Sequence, residues 1–284
     1  MPLIAARIKD EAFIQETKLC KTDTSHFDLW WLGQSGYLLQ WNNRRLLLDP
    51  YLSDSLTTKY AATNKPHIRM SERVVNPALL KNIDILSSSH NHTDHLDAET
   101  IIPVLQNNPG IQFIIPEANR YFVTERAKIP LEYPIGLNDN SSVTIGEISF
   151  YGIPAAHNTI ERDEKGNCKC MGFIISFGQW NIYHSGDTLL FDGMVALLKP
   201  FNVDIAILPI NGNDPARGVA GNLNVAEAAA LGKAIGARLV IPCHYDMFSF
   251  NTADVQDFAK EATAIQQPFY IMENGGHFSS EQLY

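Results

Sequence analysis

Cysteine is scarce in this chain: Cys20, Cys168, Cys170 and Cys243 are scattered over 284 residues. So sparse a set excludes a disulfide framework, and reduced thiols are expected. Cys168 and Cys170, one residue apart in a Gly- and charge-rich stretch, read as incidental thiols of a hairpin loop. Positive charge is in deficit too, with 22 Lys and Arg against 31 Asp and Glu and a formal net charge of -9. That balance argues against a surface selected for long nucleic acids or anionic membranes, which need clustered basic residues. No apolar run is long enough to span a bilayer, and the start Met1-Pro2-Leu3-Ile4 lacks the pattern of a secretory leader. A cytoplasmic protein without membrane insertion is expected. Linkers, low-complexity tracts and fixed-period repeats are missing as well, so residues 1–284 read as a single domain. Neither a phosphate-binding loop nor a serine nucleophile elbow is found, since Gly33-Gln34-Ser35-Gly36 has the wrong spacing.

What the chain does contain is a hydrophobic content of 45%, enough for a sizeable core. Strand-like runs rich in Val, Ile, Leu and aromatics occur at Phe27–Leu32, Tyr37–Gln40, Arg45–Asp49, Ile83–Ser88, Ile111–Ile115 and Ile148–Ala155. They continue at Gly172–Phe177, Asn181–His184, Asp204–Pro209, Leu239–Cys243 and Phe269–Met272. Helical patterns fall at Ala98–Gln106, Ala118–Ala127, Phe191–Leu198, Val225–Ile235 and Ala253–Thr263. Strands as continuously apolar as Ile205-Ala206-Ile207-Leu208 imply sheets covered on both faces, hence a layered α/β sandwich. Residues 51–80 show weak periodicity and fit either a lid or a plain surface connection. The first 26 residues, mixed in charge and apolarity, suit packing on the core or on a partner subunit.

The segment that carries chemistry is His90-Asn91-His92-Thr93-Asp94-His95, which follows the apolar run Ile83-Asp84-Ile85-Leu86. Four metal-binding side chains in six positions have no packing rationale, because each is costly to bury. In extended backbone His90 and His92 project to the same side and can grip one ion. A turn before the helix at Ala98, with Asp97 as its N-cap, would bring Asp94 and His95 to a second. Imidazole and carboxylate donors suit zinc first, with manganese or iron as alternatives. Two ions need more ligands than one loop supplies, and His157, Asp187 and His244 each stand at the C-terminal end of a later strand-like run.

This HxHxDH run, lone His, Gly-Asp and late His, in that order, resemble the metallo-β-lactamase superfold. The resemblance implies an αββα four-layer sandwich and a dinuclear centre. Asp187 falls where true β-lactamases of that fold commonly carry cysteine, which disfavours antibiotic hydrolysis. A closer resemblance, to the L-ascorbate-6-phosphate lactonase family, rests on Trp30-Trp31-Leu32-Gly33-Gln34-Ser35-Gly36, His90 to Asp97, Tyr183 to Asp187, Asp214 to Gly218, Val240 to Asp246 and Gly275-Gly276. The His90 to Asp97 run is also similar to that of enzymes hydrolysing N-acyl-phosphatidylethanolamine.

By these resemblances His90, His92 and His157 would hold one divalent ion, Asp94, His95 and His244 the other, and Asp187 would bridge them. The implied chemistry is attack by a metal-bridging hydroxide on a small lactone or ester, phosphorylated or not, with Asp94 and Asp187 as catalytic carboxylates. A phosphodiesterase or nuclease on the same scaffold is the alternative, and a non-catalytic metal-binding protein the third reading. For substrate contacts Arg217 is a candidate for a phosphate or carboxylate, Tyr245 and Asn213 could line the same pocket, and His184 could orient Asp187. His67 and His277 read as structural. A homo-oligomer stays open.

Overall fold

A computed structural model describes residues 2–20 and 23–284. Among the described residues thirteen strands form two sheets. In the first, β1 (Asp28–Gly33), β2 (Gly36–Trp41) and β3 (Arg44–Leu48) run antiparallel, and β4 (Ile85–Ser87), β5 (Gln112–Pro116) and β6 (Ile135–Leu137) extend β3 in parallel. A last strand, β13 (His277–Ser279), pairs with β1 at the sheet's edge. The second sheet consists of β7 (Ser142–Ile145), β8 (Ile148–Pro154), β9 (Met171–Phe177), β10 (Trp180–His184), β11 (Ile205–Pro209) and β12 (Leu239–Cys243), in reverse spatial order. Its β7 to β10 pairings are antiparallel, and β10 to β12 are parallel.

Strand alternation divides the first sheet's side chains between two cores. Leu29, Trp31, Tyr37, Leu39, Leu46, Leu48 and Ile85 join a cluster with β8 to β12 of the other sheet. Their neighbours Trp30, Leu32, Leu38, Leu47 and Leu86 join a second cluster. That second cluster takes in helices α1 (Asp10–Leu19), α3 (Ala98–Asn107) and α4 (Arg120–Ala127). On the far side α5 (Met194–Leu198), α6 (Val225–Ile235) and α7 (Val255–Ala264) cover the second sheet. The result is the αββα sandwich, and both-face burial explains why β11 and β12 are apolar without a break, while β1 and β2 are buried along their whole length, Asp28 and Gln40 included.

Several local expectations need correction. Phe269–Met272 forms one isolated bridge, Phe269 to Val240, rather than a strand. The short strands β6, β7 and β13 escaped notice because three or four residues carry too little periodicity to read. Helix α1 was also missed: Phe13 is its main anchor, packed edge-on against Trp30 at 6.3 Å, so the N-terminal segment docks on this chain's own core. Asp97 occupies the N-cap of α3, but its carboxylate accepts hydroxyl bonds from Ser55 and Thr100 instead of a backbone N–H.

Candidate metal centre

Parallel strands present their C-terminal ends along one edge of a sheet, and here those of β4, β10 and β12 face a common point between the sheets. The chain leaves β4 through Ser88 and Ser89 and turns so that His90 and His92 share a side, with ring centroids 4.6 Å apart. His157 arrives from the loop after β8, and its Nε2 lies 3.0 Å from His92 Nδ1. Donor atoms of His90, His92 and His157 lie within 4.8 Å of one another. So do those of Asp94, His95, Asp187 and His244. Asp187 stands between the groups: Oδ2 is 3.7 Å from His157 Nε2 and 3.3 Å from His244 Nε2, and Oδ1 is 3.3 Å from His95 Nε2. Gly186, at φ +57°, makes this placement possible, since a β-carbon there would meet Ser89 Cβ at 2.6 Å.

The outer nitrogens of three histidines are occupied, which aims the inner ones. His157 Nδ1 donates to Gly221 O at 2.9 Å, and His95 Nδ1 donates to Asp49 Oδ2 at 2.6 Å. Ser89 Oγ stands 3.1 Å from His90 Nδ1. Asp49 also accepts from the backbone N–H of Ser89 at 2.8 Å and from its hydroxyl. Gln34 Nε2 donates to Asp94 Oδ2 at 2.8 Å. Among the described residues, buried His90 Nε2, His95 Nε2 and Asp187 Oδ1 have no hydrogen-bond partner. Orphaned donors and acceptors converging on one point are costly unless an ion takes them up, so the set fits divalent cations.

The electrostatics agree. Burial works to neutralise Asp187, yet the positive charges of the adjacent His244 and His95 hold its carboxyl well below the usual range. Burial likewise opposes the charge on His95 and His244, but Asp187 and Asp94 outweigh it, raising His95 well above its ordinary value and His244 to about 9. Without an ion, protons on these two rings supply the positive charge that the carboxylates demand. His90 has no carboxylate so close; burial and then its histidine neighbours push it well below normal, which favours a neutral imidazole.

The centre lies at the base of a cavity of about 590 Å³ walled by Leu56, Lys59, Tyr60, Lys65, His67, Phe122 and Arg126, among others. Helix α2 (Ser55–Tyr60) and the segment after it form one wall, to which the 51–80 stretch contributes Leu56, Lys59, Tyr60, Lys65 and His67. His67, read as structural, belongs to that wall, its ring 4.5 Å from Tyr60. None of the four proposed substrate residues lines the cavity. Arg217 turns inward, donating to Asn211 O, Gly212 O and Asn251 Oδ1, and so ties its own loop together. Tyr245 is buried against Trp31 with its hydroxyl donating to Met272 O. Asn213 is exposed and packs on Gly221, and His184 meets Ser35 O with Nε2 at 2.9 Å instead of touching Asp187. His277 is on another face, against Asp28.

Two residues that sequence reasoning passed over, Asp49 and Gln34, make the closest supporting contacts. Asp49 had a signal, an acid at the end of the strand-like run Arg45–Asp49, the same position that singled out Asp187. Gln34 had none beyond its place in a tight turn.

Residues 44–245 match the beta-lactamase superfamily domain, a span that contains all seven of these side chains. The chain belongs to the beta-lactamase superfamily. Among its relatives, a metal-dependent hydrolase of Caldivirga maquilingensis is 28% identical over 248 residues, covering 86% of this chain and 94% of the relative. One of Methanosarcina mazei is 28% identical over 251 residues, 86% and 95% of the two chains. An isothiocyanate hydrolase from Delia radicum gut bacteria shares the superfamily fold at TM-score 0.71 and 17% identity, over 89% of this chain and all of that one. A metallo-beta-lactamase fold protein of Bacillus subtilis aligns at TM-score 0.64 and 18% identity, over 90% and 100%.

Proposed function

We propose that this superfamily member is a metal-dependent hydrolase acting on a small anionic ester, of which a phosphorylated lactone is the leading case. The observation that carries the reading is the convergence of seven ligand-type side chains at one cavity, with His90 Nε2, His95 Nε2 and Asp187 Oδ1 buried and unpartnered among the described residues. His90, His92 and His157 would hold one divalent cation, Asp94, His95 and His244 a second, and Asp187 would serve both. Such a pair of ions supplies water activated at neutral pH and a Lewis acid for the substrate oxygen. Zinc suits the donor set, with manganese or iron as alternatives.

The protein's part is orientation. Asp49 and Gly221 O fix the tautomers of His95 and His157, so that each presents Nε2. Gln34 keeps one oxygen of Asp94 directed at the centre. Asp94, which lines the cavity, is placed to take a proton from the attacking water and return it to the leaving group. Lys59, Lys65 and Arg126 give the cavity a basic wall in a chain of net charge -9, which favours a negatively charged substrate. The metal-dependent hydrolases among the relatives and the sequence resemblance to a phosphosugar lactonase support the same class.

Chelator-sensitive hydrolysis of phosphorylated sugar lactones, measured beside uncharged lactones and phosphodiesters on protein of known metal content, tests the proposal. Turnover of phosphodiesters alone would replace the ester by a phosphodiester. Absence of chelator-sensitive turnover on every class would overturn the hydrolase reading in favour of metal binding without catalysis.

A further inference from the structure

A second group of ligand-type residues lies where α1 ends and β1 begins, apart from the cavity just described. Cys20, at the C-terminal cap of α1, Asp28, first residue of β1, and His277, first residue of β13, each bring a donor atom within 4.8 Å of the others. These three positions are 8 and 249 residues apart in sequence, so only the tertiary fold assembles them. The Asp28 side chain is 4% exposed. His277 Nε2 donates to its Oδ1 at 2.7 Å, whereas Oδ2 is buried and has no hydrogen-bond partner among the described residues. His26 Nε2 stands 3.8 Å from that orphaned oxygen, its ring steadied by Asp23 Oδ1 on Nδ1 at 2.8 Å. The His277 ring is held flat against Trp30, with centroids 4.7 Å apart and planes 18° from parallel. Trp30 in turn donates to Glu16 of α1 at 2.9 Å.

A hydrogen-bonded His–Asp pair accounts for Oδ1 and His277 but leaves Oδ2 without a partner in hydrogen-bond geometry among the described residues, with the Cys20 thiol and the His26 imidazole close by. A buried carboxylate oxygen in that position is costly to leave unmatched, and a cation matches it. One thiolate, one carboxylate and one or two imidazoles make a soft, compact donor set that selects zinc among the common divalent ions. We propose that Cys20, Asp28 and His277, with His26 at the fourth position, hold a structural zinc ion that pins α1 to the edge of the first sheet. Because the ligands lie near both ends of the chain, the ion would close the fold over almost its whole length, coupling its binding free energy to folding.

Cobalt(II) added to the metal-stripped full-length chain tests this. Sulfur ligation gives a near-ultraviolet thiolate-to-cobalt charge-transfer band, which a centre of only histidines and aspartates lacks. The band is expected in the wild type and in Cys170→Ser, and expected to vanish in Cys20→Ser while the visible cobalt bands of the other centre remain. A wild type without the band, or a band that survives Cys20→Ser, overturns the proposal. Since His277→Gln keeps an N–H for Asp28, it separates loss of the ligand from loss of the hydrogen bond. Zinc at the other centre raises the melting midpoint of both chains, so a smaller zinc-dependent rise is expected in His277→Gln, and equal rises overturn the site.

Discussion

Asp49→Asn isolates the contribution of a residue that touches no substrate. Asp49 is fully buried and anchors the loop after β4 through three contacts, the Ser89 backbone N–H, the Ser89 hydroxyl and His95 Nδ1. Asparagine has the same shape and can keep Oδ1 as acceptor for the Ser89 N–H. Its amide group, however, would then face His95 Nδ1, and two N–H groups cannot share that 2.6 Å contact. Either the amide turns and the Ser89 bond is lost, or the imidazole shifts its proton to Nε2, the atom that stands 3.3 Å from Asp187 Oδ1. In both cases His95 is a worse ligand. Losses of such supporting groups weaken metal affinity by about 10- to 100-fold, which corresponds to about 1.4 to 2.7 kcal/mol. The assay is competition against a chelator of known affinity, with circular dichroism to verify the fold. The expected result is that the equivalent proposed to bind His95 is weakened by that factor, with turnover recovering as metal is raised. Wild-type affinity for every bound equivalent would refute the idea that Asp49 orients His95 for metal.

Four further outcomes follow from the same geometry. Asp94→Asn, compared at equal metal loading, should lower turnover by about 10²- to 10⁴-fold with little change in melting temperature, and wild-type turnover would remove Asp94 from the proton path. The ion-free protein should lose stability as pH rises: the buried His244 has its value raised to about 9, so its contribution is complete below the unfolded value near 6.5 and lost on approach to 9. Metal binding must expel that proton, so affinity should climb over the same window, read by calorimetry in buffers of different ionisation enthalpy. Gly186→Ala forces a residue at φ +57° against Ser89 and should cost about 1–3 kcal/mol in chemical denaturation, together with a loss of metal that Asp187 and the Ser89–Asp49 contact both report.

The sequence by itself determined the chemistry and the layering. Four metal-binding side chains within six residues after an apolar strand are expensive to bury for any other purpose, so His90, His92, Asp94 and His95 stand out before any coordinates. Unbroken apolar strands such as Ile205–Leu208 demand cover on both faces, which already implies sheets sandwiched by helices. His157, Asp187 and His244 were legible for a weaker reason, their place just after strands: Asp187 and His244 follow β10 and β12, which pair in parallel with β11 and end along one edge, whereas His157 follows the antiparallel β8.

Only the tertiary structure decided what surrounds them. Arg217 looked like an anion-binding residue in a polar loop, and it became a loop tie because three acceptors of its own neighbourhood, Asn211 O, Gly212 O and Asn251 Oδ1, lie within its reach. Tyr245 follows the proposed ligand His244 in sequence, but His244 adopts φ +65°, and the tyrosine next to it is buried against Trp31, away from the cavity. Lys59, Lys65 and Arg126 belong to one wall only because α2 and α4 approach the same opening. Local pattern records which residues want burial or a partner. Which partner is within a few ångströms depends on contacts between segments far apart in the chain, as with Asp49 beneath His95 and Cys20 beside His277.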